Sequence, residues 1–436
     1  MSCPASAAVA IRVVEITEPL RPIADVDGYG CTRVFVTDGG LLIGSVDIGN
    51  AFAPISATRL RDAIANGLAY TMIKRAVERK MIAEAAPPLA AGVAVSIVIP
   101  TCNRPDDLRR CLLALRAQRG SRPFDGAQGR PLEIIVVDNR PGPSSPTRAA
   151  AAEFAEIVFI EEARPGLSYA RNAGFAVATG DILVAIDDDV TVPAGWLERL
   201  VAPFARPEVM AVTGHVLPIE LETESQYRFE AYGGLGKGFT RFEVNGEWFR
   251  NLRGAVPTWN IGATANAAFR ATIFRDPAIG VLDEALGAGM PTGCSEDTYL
   301  FYRILKADHT IVYEPTAWVW HRHRRDPRAL RHQIYSYSKG HVAYHLTTLL
   351  RDGDRRALIR LGYSLPKVYL KRTWVRLRGW SDYPLSLILV EIGGTLAGPW
   401  ALWQARRKVR KLGPSARPKA HHAVPLESTL TQTPAA

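Results

Sequence analysis

A chain of 436 residues with 47% apolar and 22% charged content is long enough for two or three folded domains, and its composition excludes a disordered or fibrous protein. Its five cysteines form no CxxC pair, which excludes a zinc ribbon and fits a reducing cytosol, and residues 1–10 lack the basic-then-apolar pattern of a secretory signal. The net charge of +10 is concentrated late: residues 351–411 hold 14 Lys plus Arg against 4 Asp plus Glu. Nucleic acid, anionic lipid and solubility each account for such a block.

Residues 1–92 read as a small α+β unit without a catalytic constellation. Short β-like runs at 11–16, 33–37 and 41–46 include a hairpin turn at Asp38-Gly39-Gly40, and a helix is predicted over 58–85. Pro87-Pro88 and Gly92 then mark a boundary. From residue 93 the grammar becomes strand–helix alternation, with strands at 95–100, 132–137, 157–160 and 182–186 and helices at 105–118, 148–156 and 168–178. That order predicts an α/β domain over 93–340 with a mainly parallel sheet and helices on both faces. Residues 119–131 (RGSRPFDGAQGRP) interrupt it as a flexible surface loop.

Residues 341–412 read as a basic helical hairpin. The stretch 383–403 is mostly apolar but contains Glu391, Pro399 and three glycines, which argues against a clean membrane span. An interfacial helix pair on an anionic leaflet and a hairpin capping the core are the two readings. The tail, 413–436, has the composition of a disordered segment.

The chemistry centres on Asp187-Asp188-Asp189, which ends the apolar run 182–186. Carboxylates at the C-terminal edge of an open α/β sheet lie where such sheets bind ligands. Like charges there call for a cation, and a divalent metal among carboxylates goes with a phosphate-bearing substrate. Other strand ends supply Pro100-Thr101-Cys102-Asn103-Arg104 and Asp138. Asp138 is either an acceptor for a base or ribose, or the cap of the next turn. In Gly166 to Gly174, Ser168 is a candidate N-cap, and Arg171 in the first helical turn favours a phosphate. The acids Glu296-Asp297 follow a glycine-rich loop at a helix start, as caps or with one as general base. His321 and His323, at i and i+2 on an extended segment, face one way, so either can ligate the metal.

SIVIPTCNR, EIIVVDN, GLSYARNAG, ILVAIDDDV, ATANAAFR, GCSEDTYLFYR and VWHRHR, in this order over residues 93–340, resemble glycosyltransferase family 2, the nucleotide-sugar transferases of the GT-A fold. The resemblance implies a metal-dependent, inverting transfer of sugar from a nucleoside-diphosphate sugar to a hydroxyl of a saccharide or lipid-linked acceptor, in bacterial-type envelope or exopolysaccharide synthesis. It implies that Asp138 contacts the nucleobase and that Pro100, Thr101, Asn103 and Arg104 line the nucleotide pocket. Arg171 lies near the diphosphate or steadies the nearby acids. Asp189 is the main ligand of Mn²⁺ or Mg²⁺, with Asp187 or Asp188 reaching ribose or a bound water, and His321 completes the metal shell ahead of His323. Asp297 of the Glu296-Asp297 pair is the base, and Trp259, Asn266 and Arg270 fall on the acceptor wall. A cytoplasmic protein peripheral to the inner membrane face is expected, with lipid favoured over nucleic acid.

Two further readings compete. Asp187-x-Asp189-x-Thr191 also fits motif one of haloacid-dehalogenase-like phosphohydrolases, with Asp187 as nucleophile, but that motif normally sits on a domain's first strand and at least three precede it here. A non-catalytic saccharide- or lipid-binding member of the fold would not need both acidic sites intact.

Overall fold

The computed structural model describes residues 8–81, 89, 92–119, 132–142 and 144–416. Residues 120–131 of the expected surface loop and 417–436 of the expected disordered tail lie outside the described residues. The N-terminal unit is a three-stranded sheet, β1 (Val9–Glu15), β2 (Cys31–Asp38) and β3 (Leu41–Gly49), followed by helix α1 (Ala57–Met81). β1 is parallel to β2, and the turn at Gly39-Gly40 (φ +60° and +75°) returns β3 antiparallel. Both positions need the left-handed backbone that glycine adopts without strain. Strand alternation sends Val34 and Val36 to one face, against the α1 stripe Leu60, Ile64 and Leu68. Phe35 faces the other way and, with Leu42, packs on Leu217, Trp318 and Trp320 of the larger sheet. Cys31 is disulfide-bonded, and Cys102, Cys111 and Cys294 are free thiols.

The larger sheet has nine strands: β4 (Val95–Thr101), β5 (Glu133–Asp138), β6 (Ile157–Glu161), β7 (Ile182–Ile186), β8 (Val190–Thr191), β9 (Val209–Pro218), β10 (Phe242–Val244), β11 (Asn266–Arg270) and β12 (Thr310–His321). Their order is β10-β12-β9-β11-β7-β4-β5-β6, with β8 paired to β12. β4, β5, β6, β7, β9 and β12 run one way and β8, β10 and β11 the other, so the mainly parallel expectation holds.

Between the strands lie α2 (Pro105–Arg119), α3 (Pro146–Ala151), α4 (Leu167–Val177), α5 (Trp196–Val201), α6 (Glu224–Tyr232), α7 (Gly246–Asn251) and α8 (Glu296–Lys306). Ile97, Ile99, Ile134 and Val136 join the core with α2 and α5. Their neighbours Val98, Ile135 and Val137 join the opposite core with α4 and α8. Burial on both faces is why these strands are continuous Val/Ile runs. Helix α3 is shorter than the predicted 148–156. The chain tightens where Phe154 N–H reaches Ala151 O (3.0 Å), and the Phe154 ring enters the core beneath Arg116.

The C-terminal region is helical: α9 (Pro327–Asp352), α10 (Arg356–Ile359), α11 (Leu365–Leu377) and α12 (Leu385–Leu412). The Asp326 carboxylate caps α9 by accepting from Ala329 N–H (2.8 Å), and the helix runs unbroken past residue 340. Helix α12 is long and apolar enough to cross a membrane, yet one side packs along α9. Gly394 and Gly398 permit that approach, since a Cβ on Gly398 would lie 2.5 Å from Val342 Cβ. Glu391 is buried and accepts from Arg372 (2.6 Å) and Tyr383 (2.7 Å), so its charge is met inside the protein.

Candidate active site

β7 is fully buried between β4 and β11 and delivers the three acids to the sheet's C-terminal edge. Asp188 points back under β4, accepting from the Thr101 hydroxyl (2.8 Å) and Arg104 (3.2 Å). Asp187 accepts from Arg171 (2.6 Å), and Asp189 Oδ2 from Arg104 (2.9 Å). Pairing of β8 with β12 sets His321 opposite Val190, which brings its Nε2 within 3.3 Å of Asp189 Oδ1. That oxygen is buried and has no hydrogen-bond partner. Donor atoms of Asp187, Asp189 and His321 all lie within 4.8 Å of one another.

The electrostatics favour a cation there. Burial, followed by the Asp187 charge, pushes Asp189 up to about 6, and burial raises Asp188 to about 7 against the pull of Arg104. Burial and the neighbouring His323 lower His321 to about 3, so its imidazole is neutral and fit to ligate. Two carboxylates and one imidazole are a donor set that suits a divalent ion of the Mn²⁺ type. An unpartnered buried oxygen at its centre agrees with that.

Asp187 and Glu296 are joined by one side chain. Arg171 of α4 is 1% exposed, and it donates to Asp187 through one terminal nitrogen and to Glu296 Oε1 (2.8 Å) through the other. Of the two expectations for Arg171, steadying the acids describes its contacts. Ser168 is not the helix cap: Gly166 holds that position, and the Ser168 hydroxyl donates to Leu286 O (2.8 Å). Burial, then the adjacent Asp297, raises Glu296 to about 7. Asp297 is half-buried at the start of α8, with Oδ1 accepting from Thr298 N–H (2.6 Å) and Oδ2 from Thr264 N–H (3.3 Å).

A cavity of about 370 Å³ opens at the ends of β4, β5 and β6, lined by Cys102, Asn139, Arg140, Pro141, Ala163, Pro165, Gly166 and Gly289. Asp138 lies buried at the end of β5, and both its oxygens are engaged, by Arg140 N–H (2.9 Å) and the Ser145 hydroxyl (2.6 Å). Its contacts are therefore those of a turn cap. Pro100 is buried within β4, and Asn103 is exposed at φ +57° just before α2. Asn139 was missed from the sequence, although it follows Asp138 at the same strand end. Its amide ties the Glu162–Arg164 segment (2.9 and 2.8 Å) and accepts from Gly166 N–H (3.0 Å).

Two of the three residues expected on the acceptor wall are engaged within the fold. Asn266 is fully buried, donating to His215 O and Ala317 O and accepting from the Trp196 indole, so no polar atom is left for a ligand. Arg270 pairs with Ile182, at the far end of β7 from Asp187, and its guanidinium is spent on Val209, Phe204 and Arg206 carbonyls. Trp259 is half-buried against His341, His345 and Arg360. His323, the alternative metal ligand, turns its Nε2 to Glu230 (2.8 Å).

Residues 96–276 match the family model described as Glycosyl transferase family 2. That segment is a family 2 glycosyltransferase domain. The match contains Asp187, Asp188, Asp189 and Arg171, while Glu296, Asp297 and His321 lie beyond its end. A pre-mycofactocin glycosyltransferase of Mycobacterium tuberculosis is 29% identical over 240 residues, which cover 54% of this chain and 44% of that protein. The succinoglycan biosynthesis protein ExoM of Rhizobium meliloti is 26% identical over 232 residues, covering 52% of this chain and 65% of that one. The chain thus spans less than two thirds of either relative. Among solved structures, the mannosyltransferase PcManGT from Pyrobaculum calidifontis, in complex with GDP-Man and Mn²⁺, aligns with a TM-score of 0.46 at 17% identity, covering 77% of this chain and 96% of that one.

Proposed function

We propose that the protein is a metal-dependent, inverting glycosyltransferase that moves a sugar from a nucleoside-diphosphate sugar to a hydroxyl of a saccharide or lipid-linked acceptor, in envelope or exopolysaccharide synthesis. One observation carries this reading: Arg171 binds Asp187 and Glu296 at once, so a metal-type cluster and an acid pair share one sheet edge. Asp187, Asp189 and His321 would hold the ion, Mn²⁺ or Mg²⁺, and when bound it supplies charge neutralisation for the departing diphosphate. Asp297 takes the proton of the acceptor hydroxyl as that oxygen bonds to the anomeric carbon. The bond from that carbon to the diphosphate oxygen breaks on the opposite face, which inverts the configuration. Arg171 holds Asp187 and Glu296 in register during transfer, and the cavity beside Asn139 and Arg140 takes the nucleoside.

A thermal-shift panel of nucleotide sugars with and without Mn²⁺ tests the donor and the ion together. A ligand at about 100 times its Kd adds about 2.7 kcal/mol, so one nucleotide class should raise the midpoint by several degrees, with Mn²⁺ only. Transfer that survives exhaustive EDTA treatment would exclude metal dependence.

In the same reading, α11 and α12 rest on an anionic membrane at the cytoplasmic face. Leu370, Trp374, Leu377, Trp380, Leu396 and Trp400 are exposed apolar residues in this region, and Arg378 lies over the Trp374 ring at 4.9 Å. Exposed tryptophans beside arginines suit the headgroup layer. The protein should sediment with anionic liposomes and not neutral ones, less so as salt rises. Equal sedimentation of a Trp374→Ser/Trp380→Ser/Trp400→Ser variant would remove this surface from consideration.

A further inference from the structure

Beside the metal-type cluster lies a chain of side chains that sequence motifs did not connect. His323 is buried, with Nε2 2.8 Å from Glu230 Oε1 and Nδ1 3.1 Å from His321 Nδ1. Helix α6 is built around this ring. Its N-terminus is fixed by a capping box between Thr223 and Gln226. From there Gln226, Phe229 and Glu230, at i, i+3 and i+4 on one face, all reach residue 323. Gln226 donates to the His323 carbonyl (3.2 Å), the Phe229 ring meets the imidazole edge-on at 4.8 Å, and Glu230 takes its Nε2.

The donor and acceptor inventory then orients two rings. A carboxylate only accepts, so the His323 proton facing Glu230 is on Nε2. The 3.1 Å contact between the two Nδ1 atoms needs one donor and one acceptor, and the arrangement that leaves His321 Nε2 free for a metal is the one in which His321 Nδ1 donates. The neutral His321 then carries its proton on Nδ1 and presents an Nε2 lone pair to Asp189 Oδ1, 3.3 Å away. Two acceptors facing each other at that distance repel unless a cation sits with them. Asp189 Oδ1 has no hydrogen-bond donor of its own.

We infer that Glu230 and His323 are positioning residues, which fix the His321 tautomer so that Nε2 is a metal ligand and not a hydrogen-bond donor to Asp189. Without them His321 can move its proton to Nε2, donate to Asp189 and close the site on itself. Carboxylates and rings behind a metal-binding histidine act in this way, and losing one typically costs about 10–100-fold in affinity. The inference rests on the metal-dependent reading above, and one experiment separates the two.

Mn²⁺ binding to the purified full-length chain is measured by electron paramagnetic resonance of the free ion, without substrate, in a cycle of Glu230→Leu, His321→Ala and the double variant. Glu230→Leu should weaken Mn²⁺ binding about 10–100-fold. In the His321→Ala background the same change should alter it less than roughly twofold, because the effect passes through His321 alone. Equal weakening in both backgrounds, or none in either, overturns the relay. If His321→Ala itself leaves Mn²⁺ affinity unchanged, the metal assignment of His321 fails first. Glu230→Gln, which keeps size and an acceptor oxygen, should retain most of the affinity, and His323→Phe carries the cycle if Glu230→Leu does not fold. His323→Phe, which fills the same space without the relay, should match Glu230→Leu, and parental Mn²⁺ affinity in His323→Phe also overturns the relay.

Discussion

Replacing Asp297 with Asn should lower sugar transfer by roughly 10²–10⁴-fold, the usual worth of a general base, while donor and Mn²⁺ binding stay within about twofold. The contacts make this a fair test. Asp297 Oδ1 accepts from Thr298 N–H at 2.6 Å and from its hydroxyl at 3.1 Å, and an asparagine oxygen can take the same place. The other oxygen accepts a longer bond from Thr264 N–H at 3.3 Å, and its replacement by NH₂ costs about 1 kcal/mol locally. The fold and the Arg171 bridge therefore survive, and the lost property is the ability to accept a proton. Turnover at saturating donor and donor affinity by calorimetry should separate. Equal loss of both would make Asp297 a cap of α8 and no more.

The sheet and the triplet were legible because their signals are local. Residues 182–186 are a continuous apolar run, which a strand buried on both faces requires, and the acids that end it must lie at that strand's edge. Both histidines were legible as a pair for the same reason, since alternation in an extended segment puts i and i+2 on one side. Choosing between them was a tertiary matter: β8 pairing presses His321 against Asp189, whereas Glu230, 93 residues earlier, draws His323 away. Nothing in the α6 sequence marks Glu230 as different from any surface glutamate.

The placement of the expected acceptor-wall residues has a physical reason. β11 runs antiparallel to β7, so its first residue, Asn266, reaches the ligand edge and its last, Arg270, lies at the opposite one. Direction within a mixed sheet is set by crossover connections, which propensity and periodicity do not encode. Asn266 is near the right place but faces inward, where its amide closes an indole and two carbonyls. Glu391 is the complementary case. Its presence argued against a clean bilayer span, and Arg372 and Tyr383 show what it does instead. The open side of the same helix keeps Leu396 and Trp400 exposed, so core packing and an exposed apolar surface divide α12 between them.

Arg171→Met should be the most destabilising single change in the site. The guanidinium is 1% exposed and lies between Asp187 at 2.6 Å and Glu296 at 2.8 Å, so its loss leaves two acids without their shared cation. Breaking a buried pair in this way typically costs about 3–5 kcal/mol. Methionine fills much of the volume, which keeps cavity formation from being the main cause. Glu296 is pushed to about 7 by burial and by Asp297 even with Arg171 lowering it, so the variant should hold Glu296 protonated at neutral pH. Arg171→Lys keeps the charge but not the fork, and one ammonium serves two diverging carboxylates poorly, so its midpoint should fall between parent and methionine variant. Denaturant unfolding of metal-free protein reads the order directly: parent, then lysine, then methionine. A methionine variant as stable as the parent would mean that the two acids are held apart without help. In that case the side chain that ties the aspartate triplet to Glu296, the neighbour of the candidate base, would not be what assembles the site.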